Sequence, residues 1–154
     1  MESKNISNEL QNPFRMSHKI SAIEDLIDSK GLISQYDLHT YFKMHIQVAG
    51  TRQIKNMPLH ELIHTNVLFI EILVRLLLQK NIFTKEEFDE TLGKQVFMGA
   101  EVSAIDLVQT DTVRLEVLNR CFKSEGLISE QEFRDEGNVI ISSDKTGRWN
   151  KRTS

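Results

Sequence analysis

Residues 124–133 have the sequence Ser124-Glu125-Gly126-Leu127-Ile128-Ser129-Glu130-Gln131-Glu132-Phe133, which predicts a tight corner between two helices. Gly126 stands where a helix can end with a positive φ, because glycine has no Cβ to clash in that conformation. Ser129 and Glu132 then follow with the spacing of a capping box, in which a hydroxyl and a carboxylate each bind a free backbone N–H at a helix start. One helix is therefore expected to end, and another to begin, within this short segment.

The same corner occurs three times along the chain. The turn residue is Gly31, then Asn81, then Gly126, so the copies are spaced 50 and then 45 residues apart. Asparagine is the usual second choice at this position. Each turn is followed by a capping pair: Ser34 with Asp37, Thr84 with Glu87, and Ser129 with Glu132. Because apolar residues at helical spacing precede each turn, we expect a repeated helix–turn–helix unit.

These corners resemble the helix–turn–helix corner of the short C-terminal oligomerisation modules of the SHOCT type, which occur in bacterial and phage proteins. The matching segments are Lys30-Gly31-Leu32-Ile33-Ser34, Lys80-Asn81-Ile82-Phe83-Thr84-Lys85-Glu86-Glu87-Phe88 and Glu125-Gly126-Leu127-Ile128-Ser129-Glu130-Gln131-Glu132-Phe133. These segments comprise 23 of the 154 residues of the chain. It implies a corner that packs helices together, often within an oligomer.

The whole pattern predicts an all-α protein of about six helices, arranged as three helix–turn–helix corners in a compact bundle. The expected helices cover residues 17–30, 35–45, 59–80, 85–92 and 103–124, with a short sixth helix after Ser129. We interpret residues 47–57 and 93–102 as loops, with a small strand pair (Ile46-Gln47-Val48 and Gln95-Val96-Phe97) as the alternative.

Three regions are expected along the chain. Residues 1–16 are predicted to be a polar N-terminal arm, residues 17–137 a helical repeat domain, and residues 138–154 a basic C-terminal tail. The tail opens with Val139-Ile140-Ile141, which is typical of a strand because all three side chains are β-branched.

Composition limits the classes of partner. A chain of 154 residues has the length of one domain, and its formal net charge of −3 argues against a whole-surface attraction to nucleic acid or to acidic membranes. The most apolar segment, residues 67–78, contains two charged residues and is too short to span a bilayer. Residues 1–13 carry no apolar core of a secretory signal, and Cys121 has no cysteine to pair with. We therefore expect a cytoplasmic protein, or a virion protein if the source is viral.

The helix over residues 59–80 is apolar around most of its circumference, and such a helix must be covered on most sides. A partner subunit would cover it easily, so we predict self-association, with Leu68, Phe69, Ile72 and Leu76 as the candidate inter-subunit surface. The favoured function is that of a non-enzymatic structural or interaction protein, without a cofactor. It would form a homo-oligomer or belong to a larger assembly, such as a phage virion or filament.

One motif favours an enzyme instead. His60-Glu61-Leu62-Ile63-His64 has the H-E-x-x-H spacing that resembles the signature of zinc metallopeptidases. The resemblance implies His60 and His64 as zinc ligands and Glu61 as the general base for a zinc-bound water. Glu86 or Glu87 would have to supply the third ligand. A zinc-dependent hydrolase is therefore kept as an alternative function.

The tail carries a second alternative. Lys145, Arg148, Lys151 and Arg152 surround Trp149, and basic residues beside an aromatic ring can bind a phosphate backbone and a stacked base. A nucleic-acid-binding regulator is the corresponding function. We favour a solvated C-terminus that keeps the chain soluble, with docking onto a neighbouring subunit as the next interpretation.

Overall fold

The computed structural model describes residues 13–48, 57–95 and 103–144, and within these ranges the chain forms six helices and no strand. In chain order they are α1 (Pro13–Ser29), α2 (Gln35–Val48), α3 (Leu59–Gln79), α4 (Lys85–Gly93), α5 (Ala104–Ser124) and α6 (Glu130–Ser142). The predicted all-α bundle is thus confirmed.

All three corners have the same backbone conformation. Gly31, Asn81 and Gly126 have φ values of 73°, 58° and 72°. In each corner the next residue donates its backbone N–H five residues back, as from Leu32 to the carbonyl of Ile27 at 2.9 Å. The equivalent bonds run from Ile82 to Leu77 at 2.9 Å and from Leu127 to Phe122 at 2.8 Å. These are Schellman motifs, so the predicted turn positions are confirmed.

The helix starts differ according to the length of the capping carboxylate. Thr84 and Ser129 each form both bonds of a capping box, with Glu87 and Glu132 respectively. Among the described hydrogen bonds, the box predicted for Ser34 with Asp37 holds only the bond that the hydroxyl accepts, and Ser103 with Asp106, at the start of α5, forms the same single bond. Aspartate is one methylene shorter than glutamate, and its carboxylate does not bind the backbone N–H of the cap. The full-box prediction is therefore wrong at Asp37.

The bundle is longer at both ends than predicted. Helix α1 begins at Pro13, and Met16 is buried in the core, so residues 13–16 belong to the helical domain rather than to an arm. Helix α6 runs through Val139-Ile140-Ile141 to Ser142, with Ile140 buried. The strand-like interpretation of this segment, and the tail boundary at 138, are therefore wrong.

Helix α2 also extends beyond its predicted end. It continues to Val48, so residues 46–48 form neither a loop nor a strand. Of the other residues predicted to form loops, Gly93 ends α4, Met57, Lys94 and Gln95 lie outside the helices, and residues 49–56 and 96–102 lie outside the described ranges.

The second helix of each repeat packs on the first helix of another repeat. Helix α4 packs on α1, α6 packs on α3, and α2 packs on α5, while α1, α3 and α5 pack on one another. The contact of α2 with α5 joins the first repeat to the third. The three repeats therefore form a closed ring around a centre of first helices.

The buried core positions recur with the same spacing as the three corners. Positions related by the 50- and 45-residue spacing are buried in all three copies, in the sets Ile20/Ile70/Leu115, Ile23/Leu73/Leu118 and Ile27/Leu77/Phe122. The set one turn earlier, Met16/Asn66/Asp111, is also buried although two of its members are polar. Asn66 accepts a hydrogen bond from the Thr112 hydroxyl at 2.9 Å and donates one to the Val108 carbonyl at 3.2 Å. Polar groups in this layer thereby join α3 to α5.

The repeats meet at three seams, each formed by the second helix of one repeat and the first helix of another. Two of these seams carry the same ion pair. Lys30 binds the capping residue Glu87 of the second repeat at 2.7 Å, and Lys80 binds the capping residue Glu132 of the third at 2.6 Å. Together with the cap bonds, these lysines lower the pKa of both glutamates. At the third seam, between α2 and α5, Glu125 occupies the position of the lysines and Asp37 occupies the position of the glutamates. This seam therefore lacks the pair, and Asp37 is left without the cation that its counterparts have.

Candidate interaction surface

The surface predicted on α3 is largely occupied within the chain. Ile72 and Leu76 are only 3% and 5% exposed, so their assignment to an inter-subunit surface is wrong. Leu68 and Phe69 are partly buried against the core, and the Phe69 ring packs edge-on against Phe133 with 4.8 Å between centroids. Helices α1, α5 and α6 of the same chain supply the cover that α3 requires.

Exposed apolar side chains are concentrated instead on α2. Six large apolar residues are exposed within the described ranges, and three of them lie on this helix: Tyr36 at 79%, Met44 at 55% and Tyr41 at 53%. The other three, Met57, Ile105 and Val139, are spread over three separate parts of the chain. Single exposed apolar residues are common on proteins, whereas tyrosine and methionine grouped on one helix are typical of protein interfaces. We call this group, together with Asp37, Thr40 and Lys43, the α2 face.

The α2 face is carried on a well-anchored helix. The backbone N–H of Gln35 donates to Asp28 Oδ1 at 3.3 Å, and its side-chain amide donates to Asp25 Oδ1 at 2.6 Å, which fixes the start of α2 to the last turn of α1. On the opposite side of the helix, Leu38 is buried and Phe42 packs against the core. The inward stripe therefore holds α2 on α5 and leaves the α2 face directed away from the bundle.

A buried ionic cluster lies close to the inner side of α2. Arg114 on α5 donates to Glu24 at 2.6 Å, to Ser21 at 2.8 Å and to Ser17 at 3.0 Å, all on α1, and to Asp111 at 3.4 Å. A further bond from its Nε to Glu24 engages the remaining N–H. All five donors of the guanidinium are thus used within the chain, so Arg114 holds α1 to α5 and has no donor left for an anionic ligand.

Asp111 is more deeply buried than its ionic partners Arg114 and Glu24. Its side chain is fully buried, and its Oδ2 has no hydrogen-bond partner among the described residues. Burial raises the pKa of Asp111 to about 7, although the Arg114 guanidinium acts in the opposite direction. Desolvation therefore outweighs the ion pair at this carboxyl. The stability of the fold is therefore expected to decrease as the pH rises from 3.8 to about 7.

A cavity of about 230 Å³ separates the ionic cluster from α2. It is lined by Glu24, Gln35, Leu38, His39, Phe42, Thr110, Arg114 and Val117. Ligand sites are usually larger, at roughly 300–1,000 Å³, and present unpaired polar groups. Here the two charged groups, Glu24 and Arg114, are partly buried and already bound to each other. We therefore place the candidate site on the outward side of α2 and not in this cavity.

The H-E-x-x-H motif lies in the first turns of α3. His60 is exposed, whereas Glu61 and His64 are partly buried. No group of three or more His, Cys, Asp or Glu side chains that could hold a metal occurs within residues 13–48, 57–95 and 103–144. Of the two glutamates considered as a third ligand, Glu87 is bound to Lys30 and to the Thr84 backbone N–H. The described residues thus bring no third ligand to the two histidines.

The remaining sequence predictions concern Cys121 and the tail. Cys121 is buried, and burial, followed by the charges of Glu125 and Asp37, raises the pKa of its thiol. It is therefore a core residue. Lys145, Arg148, Trp149, Lys151 and Arg152 lie outside the described residues, and the nucleic-acid alternative that depends on them stays a prediction.

No protein-family model, no curated protein and no solved structure matches this chain. Within the described part of the chain, none of the helices has both the length and the apolar content needed to cross a bilayer. The chemistry of the α2 face is accordingly the basis for a functional proposal.

Proposed function

We propose that this protein is a non-catalytic interaction module that binds another protein chain through the α2 face. The observation that carries the proposal is the grouping of Tyr36, Tyr41 and Met44 in exposed positions on one anchored helix. Aromatic residues and methionine are enriched at protein interfaces, because they bury a large area for few rotatable bonds or adapt to an irregular surface. Membership of a larger assembly, as expected from the repeated corners, is part of this proposal.

The charges of the α2 face favour a protein partner over a nucleic acid. Asp37 and Lys43 are both exposed, and neither forms an ion pair with another described side chain. A phosphate backbone would be attracted by Lys43 but repelled by Asp37. A protein surface can present both signs of charge and an apolar patch between them.

Site-specific photo-crosslinking in the cell that makes the protein tests the proposal. A photoreactive phenylalanine analogue replaces Tyr36 or Met44, and the matched control places it at Gln131, which is exposed on α6. We expect covalent protein adducts from the two α2 positions and none from the control position. Absence of adducts at α2, or equal adducts at position 131, would contradict the proposal, since the α2 face would then be an ordinary solvated surface.

A further inference from the structure

The charged residues of the α2 face are arranged symmetrically about Thr40. Asp37 lies three residues before it and Lys43 three residues after it. In the second and third repeats the residue equivalent to Asp37 is a glutamate bound by a lysine of the preceding repeat. The first repeat has Glu125 at the lysine position, so Asp37 has no such internal partner. Among the described residues, neither the Asp37 carboxylate nor the Lys43 ammonium group forms an ion pair, and both are presented from the same exposed helix.

Two of the three apolar residues of the α2 face have the same symmetry. Tyr36 lies four residues before Thr40 and Met44 four residues after it, so these three positions recur at helical spacing along the exposed side. Thr40 itself is small, and its hydroxyl donates to the Tyr36 carbonyl of its own helix at 2.9 Å. The centre of the face therefore presents a methyl group, past which another helix can approach closely.

We propose that the occupant of the α2 face is α2 of a second copy of this chain, packed antiparallel about a twofold axis near Thr40. This inference rests on the proposed function and names its partner. In that arrangement Tyr36 of one copy lies beside Met44 of the other, and Asp37 lies within reach of Lys43, each contact occurring twice. Such an isologous contact closes on itself and gives a dimer.

Other arrangements leave charges unfavourably placed. Parallel helices would bring Asp37 beside Asp37 and Lys43 beside Lys43, and like charges across an interface weaken it. A uniformly acidic or uniformly basic partner would pair one of the two charges and repel the other. The antiparallel copy pairs both, and it also matches a thioether with an aromatic ring, which is a favourable contact.

The expected dimer is weak and concentration-dependent. A contact of about three helical turns buries less than the ~1,200 Å² at the lower end of stable interfaces, so we expect a dissociation constant on the order of 100 µM. Sedimentation equilibrium from about 10 µM to about 1 mM spans this value. The mass should rise over that range from 17.8 kDa towards twice that figure.

Charge reversal tests the geometry. Lys43→Asp and Asp37→Lys should each weaken dimerisation at least about tenfold, and the double variant should recover it to within about threefold, because both cross-pairs are re-formed with reversed sign. The matched control reverses Lys85 and Asp89, an exposed pair on α4 at 2.8 Å, and should leave the dimer unchanged. Lys43 has no bond to another described residue, so its variant should keep the helical signal of the natural chain.

Three results would overturn the inference: a monomer at all concentrations, a dimer that is indifferent to the single reversals, or a double variant that does not recover. Each differs from a failure of the proposed function. Photo-adducts from positions 36 and 44 to a different protein, with a monomeric chain in solution, would keep the interaction module and reject the second copy as its partner.

Discussion

The buried carboxyl of Asp111 provides the sharpest test of the energetics. Its pKa is about 7 in the folded chain, against an ordinary value of 3.8. Between these two values the unfolded chain has lost the proton that the folded chain still holds, so the stability of the fold decreases as the pH rises through this window. Asp111→Asn removes the titration while keeping a similar shape, and the variant should not show this decrease.

The magnitude follows from the two pKa values. A shift of one pKa unit corresponds to ~1.4 kcal/mol, so a shift of about three units costs about 4 kcal/mol once the group is ionised in both states. At pH 5 the pKa shift already costs about 1.7 kcal/mol in free energy of unfolding, and at pH 8 nearly all of the ~4 kcal/mol has been lost. Relative to the natural chain, the variant should therefore gain about 2.5 kcal/mol in free energy of unfolding between pH 5 and pH 8.

Urea unfolding followed by far-ultraviolet circular dichroism measures this difference at the two pH values. Any cost of placing the asparagine amide beside Arg114 is the same at both pH values, so it cancels in the difference between them. Asp135→Asn, at an exposed position on α6, is the control and should change the free energy of unfolding equally at pH 5 and pH 8. A change at Asp111 that is also equal at the two pH values would refute a desolvated, protonated carboxyl in the α1–α5 cluster.

Substitutions at Asn81 and at the contact of Gly137 with Ile72 test the corners and the seams. Asn81→Gly should raise the free energy of unfolding by roughly 0.5–1 kcal/mol, because glycine adopts a positive φ without a Cβ clash, while Asn81→Ala should lower it; thermal unfolding compares them. Gly137→Leu should lower it by about 1–3 kcal/mol, since even a Cβ at this position would lie 3.2 Å from Ile72 Cδ1. Combining it with Ile72→Ala should recover part of the loss in urea unfolding, and purely additive losses would contradict the close contact of α6 with α3.

The corners could be predicted from the sequence because their causes are local. A Schellman turn and the capping hydroxyl that follows it involve residues within seven positions of each other, such as Ile27, Gly31 and Ser34, so the pattern alone contains the information. Where prediction failed, distant contacts decided the outcome. Residues 139–141 have the β-branched character of a strand, yet they continue α6, where Ile140 is buried in the core.

The ring and the candidate surface required the three-dimensional arrangement. Sequence spacing relates the repeats but does not say which second helix packs on which first helix. Arg114 has a local partner in Asp111, whereas its stronger partner Glu24 is 90 residues away and could not be inferred. The α2 face left one signal in the sequence: Tyr41 and Met44 fall outside the inward stripe of α2, so that helix has more apolar residues than its own packing uses.

The second helix of each repeat packs on the first helix of another repeat, and this packing limits how the chain can be shortened or rearranged. In linear repeat proteins each unit contacts only its neighbours, and units can be added or removed one at a time. Here, deleting the second repeat would take α4 away from α1 and α3 away from α6, so both remaining hairpins would lose half of their cover. The smallest autonomous unit is then all three repeats together, and melting should be a single cooperative event rather than a stepwise fraying. Relocating the termini to another turn, by contrast, would preserve every helix pair.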